Sequence, residues 1–180
     1  MASTPIQLLA DQAEKAYRAG KFTQAAELYR QAAENSAASD DALTAAELAN
    51  NRSVALLRSG DAHGALLAAL ETDTIFEQAG DVRRQAFAIG NQAAAYEALG
   101  QNDKALACFQ QSADLLKITG DSENRSSVLK SISALQVRSG SHLEALASMD
   151  AALQNQPKLS LKERFLKKLL HMPIKMLNRG

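Results

Sequence analysis

The sequence predicts an all-α chain: a right-handed superhelical solenoid of four helical hairpins, followed by a basic amphipathic helix. Three observations predict it: an alanine-rich composition, a 40-residue period, and an abrupt change of charge near residue 158. Alanine supplies about a fifth of the residues, against 9 Gly, 3 Pro and 3 Tyr plus 5 Phe with no Trp, a balance that suits packed helices better than sheets. With 46% apolar and 22% charged residues in 180, the chain has enough apolar side chain to bury a core, as one domain or one repeat array.

The period shows in Gly20, Gly60, Gly100 and Gly140. Five residues after each glycine stands an alanine (Ala25, Ala65, Ala105, Ala145), and seven before each a small residue (Ala13, Ser53, Ala93, Ser133). Nine after each comes a core-sized side chain at Tyr29, Phe109 and Met149, with Ala69 the exception. Small residues in phase let two helices approach closely, and a glycine at the turn takes the left-handed conformation that ends the first of them.

In chain order, Thr4-Pro5 opens the first helix as N-cap and first helical residue. Ser39-Asp40-Asp41, Gly60-Asp61, Gly80-Asp81 and Gly120-Asp121 each stop one helix and cap the next. The predicted helices fall near residues 5–19, 22–36, 40–59, 62–79, 82–99, 102–119, 122–139 and 142–155. They define units of about 6–39, 40–80, 81–120 and 121–155 within an array spanning 1–157, and Gln154-Asn155-Gln156-Pro157 reads as a hinge.

Residues 158–180 form the last element. Lys158, Lys162, Arg164, Lys167, Lys168, Lys175 and Arg179 face Glu163 alone, a local charge of +6, so the neutral total leaves −6 on residues 1–157. On a helical projection Leu161, Phe165, Leu169, Met172 and Met176 line one side, and Leu166, Leu170 and Leu177 widen it to about a half circle. Lys162 alone interrupts this arc, and Pro173 is expected to kink the helix. Two readings stand: a cap on the last hairpin, or docking to an anionic membrane or a partner through Lys162, Arg164, Phe165, Lys167, Lys168, Leu169, Met172 and Lys175.

The four stretches AEKAYRAGKFTQAAELYRQAA, NRSVALLRSGDAHGALLAALETD, NQAAAYEALGQNDKALACFQQSA and SISALQVRSGSHLEALASMDAAL resemble tetratricopeptide repeats over about residues 6–155. The period of 40, longer than the usual 34, resembles the extended subclass of kinesin light chains and Pins-type scaffolds. The closing proline of the family motif is absent from every unit, which puts longer helices in its place. The resemblance implies a concave groove, built from the first helix of each hairpin, that binds peptides of other proteins. Its positions in this chain are Gln7, Ala10, Asp11, Glu14 and Arg18; Glu47, Asn50, Asn51, Val54, Leu57 and Arg58; Phe87, Gly90, Asn91, Ala94, Glu97 and Ala98; and Ser127, Lys130, Ser131, Ala134, Val137 and Arg138. Asn51 and Asn91 share a repeat position, where an amide suits a peptide backbone; the same pattern also fits a solvated helix face. The carboxylate clamp of chaperone-binding relatives is not expected: Asn51-Arg52-Ser53 matches its middle element, but Ala10, Glu14, Phe87 and Asn91 stand where cations and amides are required.

The short motifs of phosphate loops, zinc proteases, serine hydrolases and EF-hands do not occur. His63, His142 and His171 lie far apart and read as surface residues, and the single Cys108 reads as a small core residue. No cofactor, metal or nucleic acid is expected. The N-terminal stretch lacks a basic leader and a long apolar run, and its second residue is not glycine. The expectation is a non-enzymatic, cytoplasmic protein-binding scaffold or adaptor; the alternative is a peripheral membrane assembly factor held by the C-terminal helix. Oligomeric state is left open.

Overall fold

In a computed structural model that describes residues 4–156 and 158–171, every regular element is an α-helix. The helices are α1 (Pro5–Arg18), α2 (Phe22–Ala37), α3 (Ala42–Ser59), α4 (Ala62–Ala69), α5 (Thr72–Gln78), α6 (Val82–Ala98), α7 (Asn102–Ile118), α8 (Ser122–Arg138), α9 (His142–Asn155) and α10 (Leu161–Leu170). The chain divides into two compact units, Met1–Leu115 and Leu116–Gly180.

The turns follow the local chemistry of the sequence. After α1 the amide of Lys21 donates to the carbonyl of Ala16, and the same six-residue closure recurs from Asp61 to Leu56, Asp81 to Phe76 and Gln101 to Tyr96. This closure requires a left-handed residue just past the helix, and the Gly60 φ of 92° supplies it. Asp41, Asp61, Asp81 and Asp121 each accept the backbone N–H three residues on, so the residue that follows the turn also satisfies the first amides of the next helix. Between α2 and α3 a non-glycine residue, Asp40 with φ 57°, takes the left-handed position that Gly80 and Gly120 hold in later units.

The periodic small residues form the seam between paired helices. Ala13, Ser53, Ala93 and Ser133 are buried, as are Ala25, Ala65, Ala105 and Ala145. In the second unit the Ser133 hydroxyl donates to the Ala145 carbonyl at 2.7 Å, joining the two periodic positions directly. Around the seam, Tyr29, Ala32 and Leu48 close a core with Ala13, Ala16 and Ala55, Phe76 packs with Ala46 and Ala88, and Leu66 packs with Ala65 and Ala95.

One predicted helix departs from expectation. Residues 62–79 are not continuous: the chain leaves the helix at Leu70 (ψ 141°), Glu71 takes φ 66°, and α5 starts at Thr72. The break leaves the Ala69 carbonyl without an intrahelical donor, and two side chains replace it: the Thr72 hydroxyl at 2.7 Å and the Gln92 amide at 3.0 Å. The Gln92 amide nitrogen also donates to the Asp73 carboxylate at 2.7 Å, tying the broken helix to α6. Cys108 is half-buried, and burial together with the nearby Asp73 charge pushes its thiol up. His63 and His142 are exposed, as expected.

In the second unit, α10 returns along α9. Its first turn is a capping box, in which Ser160 and Glu163 satisfy each other's backbone amides. The expected hinge residue Pro157 and the expected kink at Pro173 lie outside the described residues.

Candidate functional site

Within the first unit, α1, α3 and α6 are the first helices of successive hairpins, and the residues predicted for a groove lie along them. Two adjoining cavities open there. One of about 520 Å³ is bounded by Gln7, Ala10, Asp11, Glu14 and Tyr17 of α1, by Tyr29 of α2, and by Thr44, Glu47, Leu48 and Asn51 of α3. The other, about 530 Å³, is bounded by Glu47, Asn50 and Asn51 of α3, by Phe76 and Asp81, and by Arg83, Arg84, Phe87 and Asn91 of α6. Glu47 and Asn51 border both, so the two form one trough across α3.

The floor of the second cavity is fixed by a chain of charge-assisted contacts. Arg84 Nε donates to Asp81 Oδ2 at 2.6 Å, Arg84 Nη1 reaches Glu47 Oε2 at 3.0 Å, and the guanidinium lies 5.4 Å from the centre of the Phe76 ring. The Arg84 backbone N–H and side chain together hold the Asp81 carboxyl below its ordinary value, and Asp81 in turn raises the Arg84 guanidinium. Beside this floor, Arg83 stacks on Phe87 at 4.8 Å. Asn91 Nδ2 donates to Asn50 Oδ1 at 3.1 Å, and Asn50 Nδ2 donates to the Ala46 carbonyl at 3.2 Å. An amide ladder therefore crosses from α6 to α3, with Asn51 exposed next to it. In the first cavity the Tyr29 hydroxyl is raised by burial and then by the Glu14 charge.

Glu14, Glu47, Asn50, Asn51, Phe87 and Asn91 are thus brought together around the trough. Arg18 pairs with Glu14 one turn away at its exposed rim. Arg58 goes elsewhere: its guanidinium lies 4.9 Å over the Phe22 ring, which itself packs edge-on to Tyr17, so it braces the α1–α2 turn. Gly90 also belongs to packing, because a Cβ there would come within 3.2 Å of the Ser112 hydroxyl of α7. Glu97 is half-buried in the last turn of α6.

In the second unit Lys130 is engaged by Glu163 Oε1 at 2.7 Å and Gln156 Oε1 at 2.8 Å, so it holds α10 in place. Arg138 is exposed at the end of α8. On α10, Lys162, Arg164, Phe165, Lys168 and Leu169 are exposed and Lys167 half-buried, while Met172 and Lys175 lie outside the described residues.

Sequence reasoning missed Arg83, Arg84, Asp81 and Phe76 as parts of the site. A signal for two of them was present: Arg83 stands one helical turn before Phe87, and Arg84 stands three residues after the capping Asp81.

Comparison with known proteins follows the same lines. Residues 84–158 match the tetratricopeptide repeat family. The match supports the tetratricopeptide resemblance read from the sequence. The fold of the chain is similar to that of BtubC (BKLC) from P. vanneervenii, with a TM-score of 0.75 at 19% identity over 86% of this chain and 68% of that one. It is also similar to a putative kinesin light chain with nearly identical TPR-like repeats from Podosopora anserina, with a TM-score of 0.55 at 15% identity over 99% of this chain and 100% of that one. At these identities the likeness is one of fold alone. No curated protein matches the sequence.

Tetratricopeptide arrays serve in general as scaffolds for interactions between proteins. Among the described residues no group of three or more His, Cys, Asp or Glu is placed to hold a metal ion. Among the same residues no helix is long and apolar enough to cross a membrane.

Proposed function

We propose that this chain is a non-enzymatic adaptor that holds an extended segment of another protein in the trough across α1, α3 and α6. The observation that carries the reading is the continuity of the two cavities, whose walls come from helices one repeat apart and share Glu47 and Asn51. A ligand lying across α3 would meet the exposed amide of Asn51 and the carbonyl oxygen that Asn91 keeps after donating to Asn50. Amides at a constant spacing bind backbone without reading side chains, and the stacked pair of Arg83 on Phe87 offers an amphipathic wall for one side chain. Cytoplasmic placement goes with this reading, since a lone cysteine suits a reducing compartment.

A random peptide library displayed on phage and panned against the chain tests the proposal. Peptides selected by the chain should lose at least tenfold in affinity against Asn51→Ala/Asn91→Ala and against Phe87→Ala, each variant keeping its helical circular dichroism. Undiminished affinity in both variants would remove the trough as the binding site.

A further inference from the structure

The sequence shows one wide apolar arc on the C-terminal helix, and the structure divides it in two. Leu166 and Leu170 are half-buried on the side that carries Glu163, whose carboxylate is taken by Lys130. Leu161, Phe165 and Leu169 lie on another side, spaced four residues apart, and are exposed by 82%, 69% and 46%. A stripe of three large apolar side chains on an already docked helix is unneeded for that docking.

The charges around the stripe all have one sign. Lys162 borders it on one side, Arg164 and Lys168 on the other, and all three are exposed. Glu163 is the only acid between residues 158 and 171, and it is turned inward, neutralised by Lys130 and held by Gln156 and Ser160. Its carboxyl is lowered to about 2, by Lys130 first and then by the Ser160 amide and hydroxyl, so it stays ionised and paired. The outward surface of α10 therefore combines apolar side chains with exposed cations.

We infer that α10 is a lipid-docking surface: while remaining seated on α9, it inserts Leu161, Phe165 and Leu169 among the acyl chains of an anionic bilayer and sets Lys162, Arg164 and Lys168 at the headgroups. Charge complementarity selects this occupant, since a protein groove for the same stripe would need acids on both rims. Residues 1–157 carry −6, so the positive charge available to an anionic surface is concentrated in the C-terminal segment. Seating through Glu163, Leu166 and Leu170 and insertion through the opposite side use different residues, so capping and docking do not compete.

Flotation with phosphatidylcholine vesicles, with and without phosphatidylserine, tests this on the full chain. Binding is expected only with phosphatidylserine and should fall at high salt. Phe165→Ser with Leu161→Ser should reduce partitioning by at least tenfold, and Lys162→Gln/Arg164→Gln/Lys168→Gln by on the order of a hundredfold, with thermal unfolding unchanged in both. Equal flotation on neutral vesicles, no flotation at all, or full binding by either variant would overturn the inference. Sedimentation of the full chain as a dimer that the serine variant returns to monomer would assign the stripe to a second copy instead and overturn it as well. Asn51→Ala/Asn91→Ala should float normally, which separates failure here from failure of the trough.

Discussion

Replacing Glu71 by glycine tests the break between α4 and α5 by the sign of the effect. Glu71 sits at φ 66°, a conformation that costs an ordinary L-residue roughly 1–2 kcal/mol. Glycine relieves that cost but loses about 0.5–1 kcal/mol more conformational freedom on folding. The balance is a gain of about 0.5–1 kcal/mol. Were residues 62–79 a single helix, as the sequence suggests, the same substitution would fall mid-helix and cost about 0.5–1 kcal/mol. Urea unfolding separates the two cases: with a slope of about 2 kcal/mol per molar, the midpoint should rise by about 0.3 M at constant slope. Asp40→Gly, at the other left-handed non-glycine residue (φ 57°), should act in the same direction but less, because aspartate tolerates that region better. A lowered midpoint for Glu71→Gly would refute the reasoning and restore the continuous helix.

Further outcomes follow from the side chains that repair the break and from those that seat α10. Gln92→Ala removes the amide that reaches both the Ala69 carbonyl and Asp73, and should cost about 1–3 kcal/mol in the same urea assay, since a buried acceptor loses a partner. The pairing of Glu163 depends on pH with a definite sign. Its folded value near 2 lies below the ordinary 4.5, so the contribution to seating is present above the ordinary value and is lost as pH falls through the folded one. Amide hydrogen exchange should therefore show α10 protected at neutral pH and released on acidification between about 4.5 and 2; Glu163→Gln should flatten that dependence.

Much of the hairpin architecture was legible because it depends on residues that act locally or by their smallness. Gly60 and Asp61 specify a turn from within six residues, and Ala13 or Ala105 fits a seam simply by lacking volume. The break at Leu70 was not legible, because neither glycine nor proline marks it and its support comes from Gln92, on a different helix. For the trough, the tetratricopeptide resemblance pointed to Glu47, Asn51, Phe87 and Asn91, which border one cavity. It said nothing of where long side chains end, so Arg58 was expected in the trough and is found on Phe22. Arg84 enters the site through a capping contact that reads as structural until its guanidinium is seen to reach Glu47. The division of the α10 arc likewise depends on Lys130 drawing Glu163 inward, a choice no projection of the helix alone can make.

The seam of alanine and serine has a consequence for how such a chain can change over time. Its periodic positions are constrained by what they must not contain, since a larger side chain at Ala93 or Ala105 would push paired helices apart. The exposed or half-buried trough residues Asn51, Arg83 and Phe87 are under no such volume restriction, because they are outside the buried core. In the proposed adaptor, substitutions at Asn51, Arg83 or Phe87 would re-specify the ligand while the hairpins keep their registry, so the scaffold and its specificity would be free to diverge at different rates.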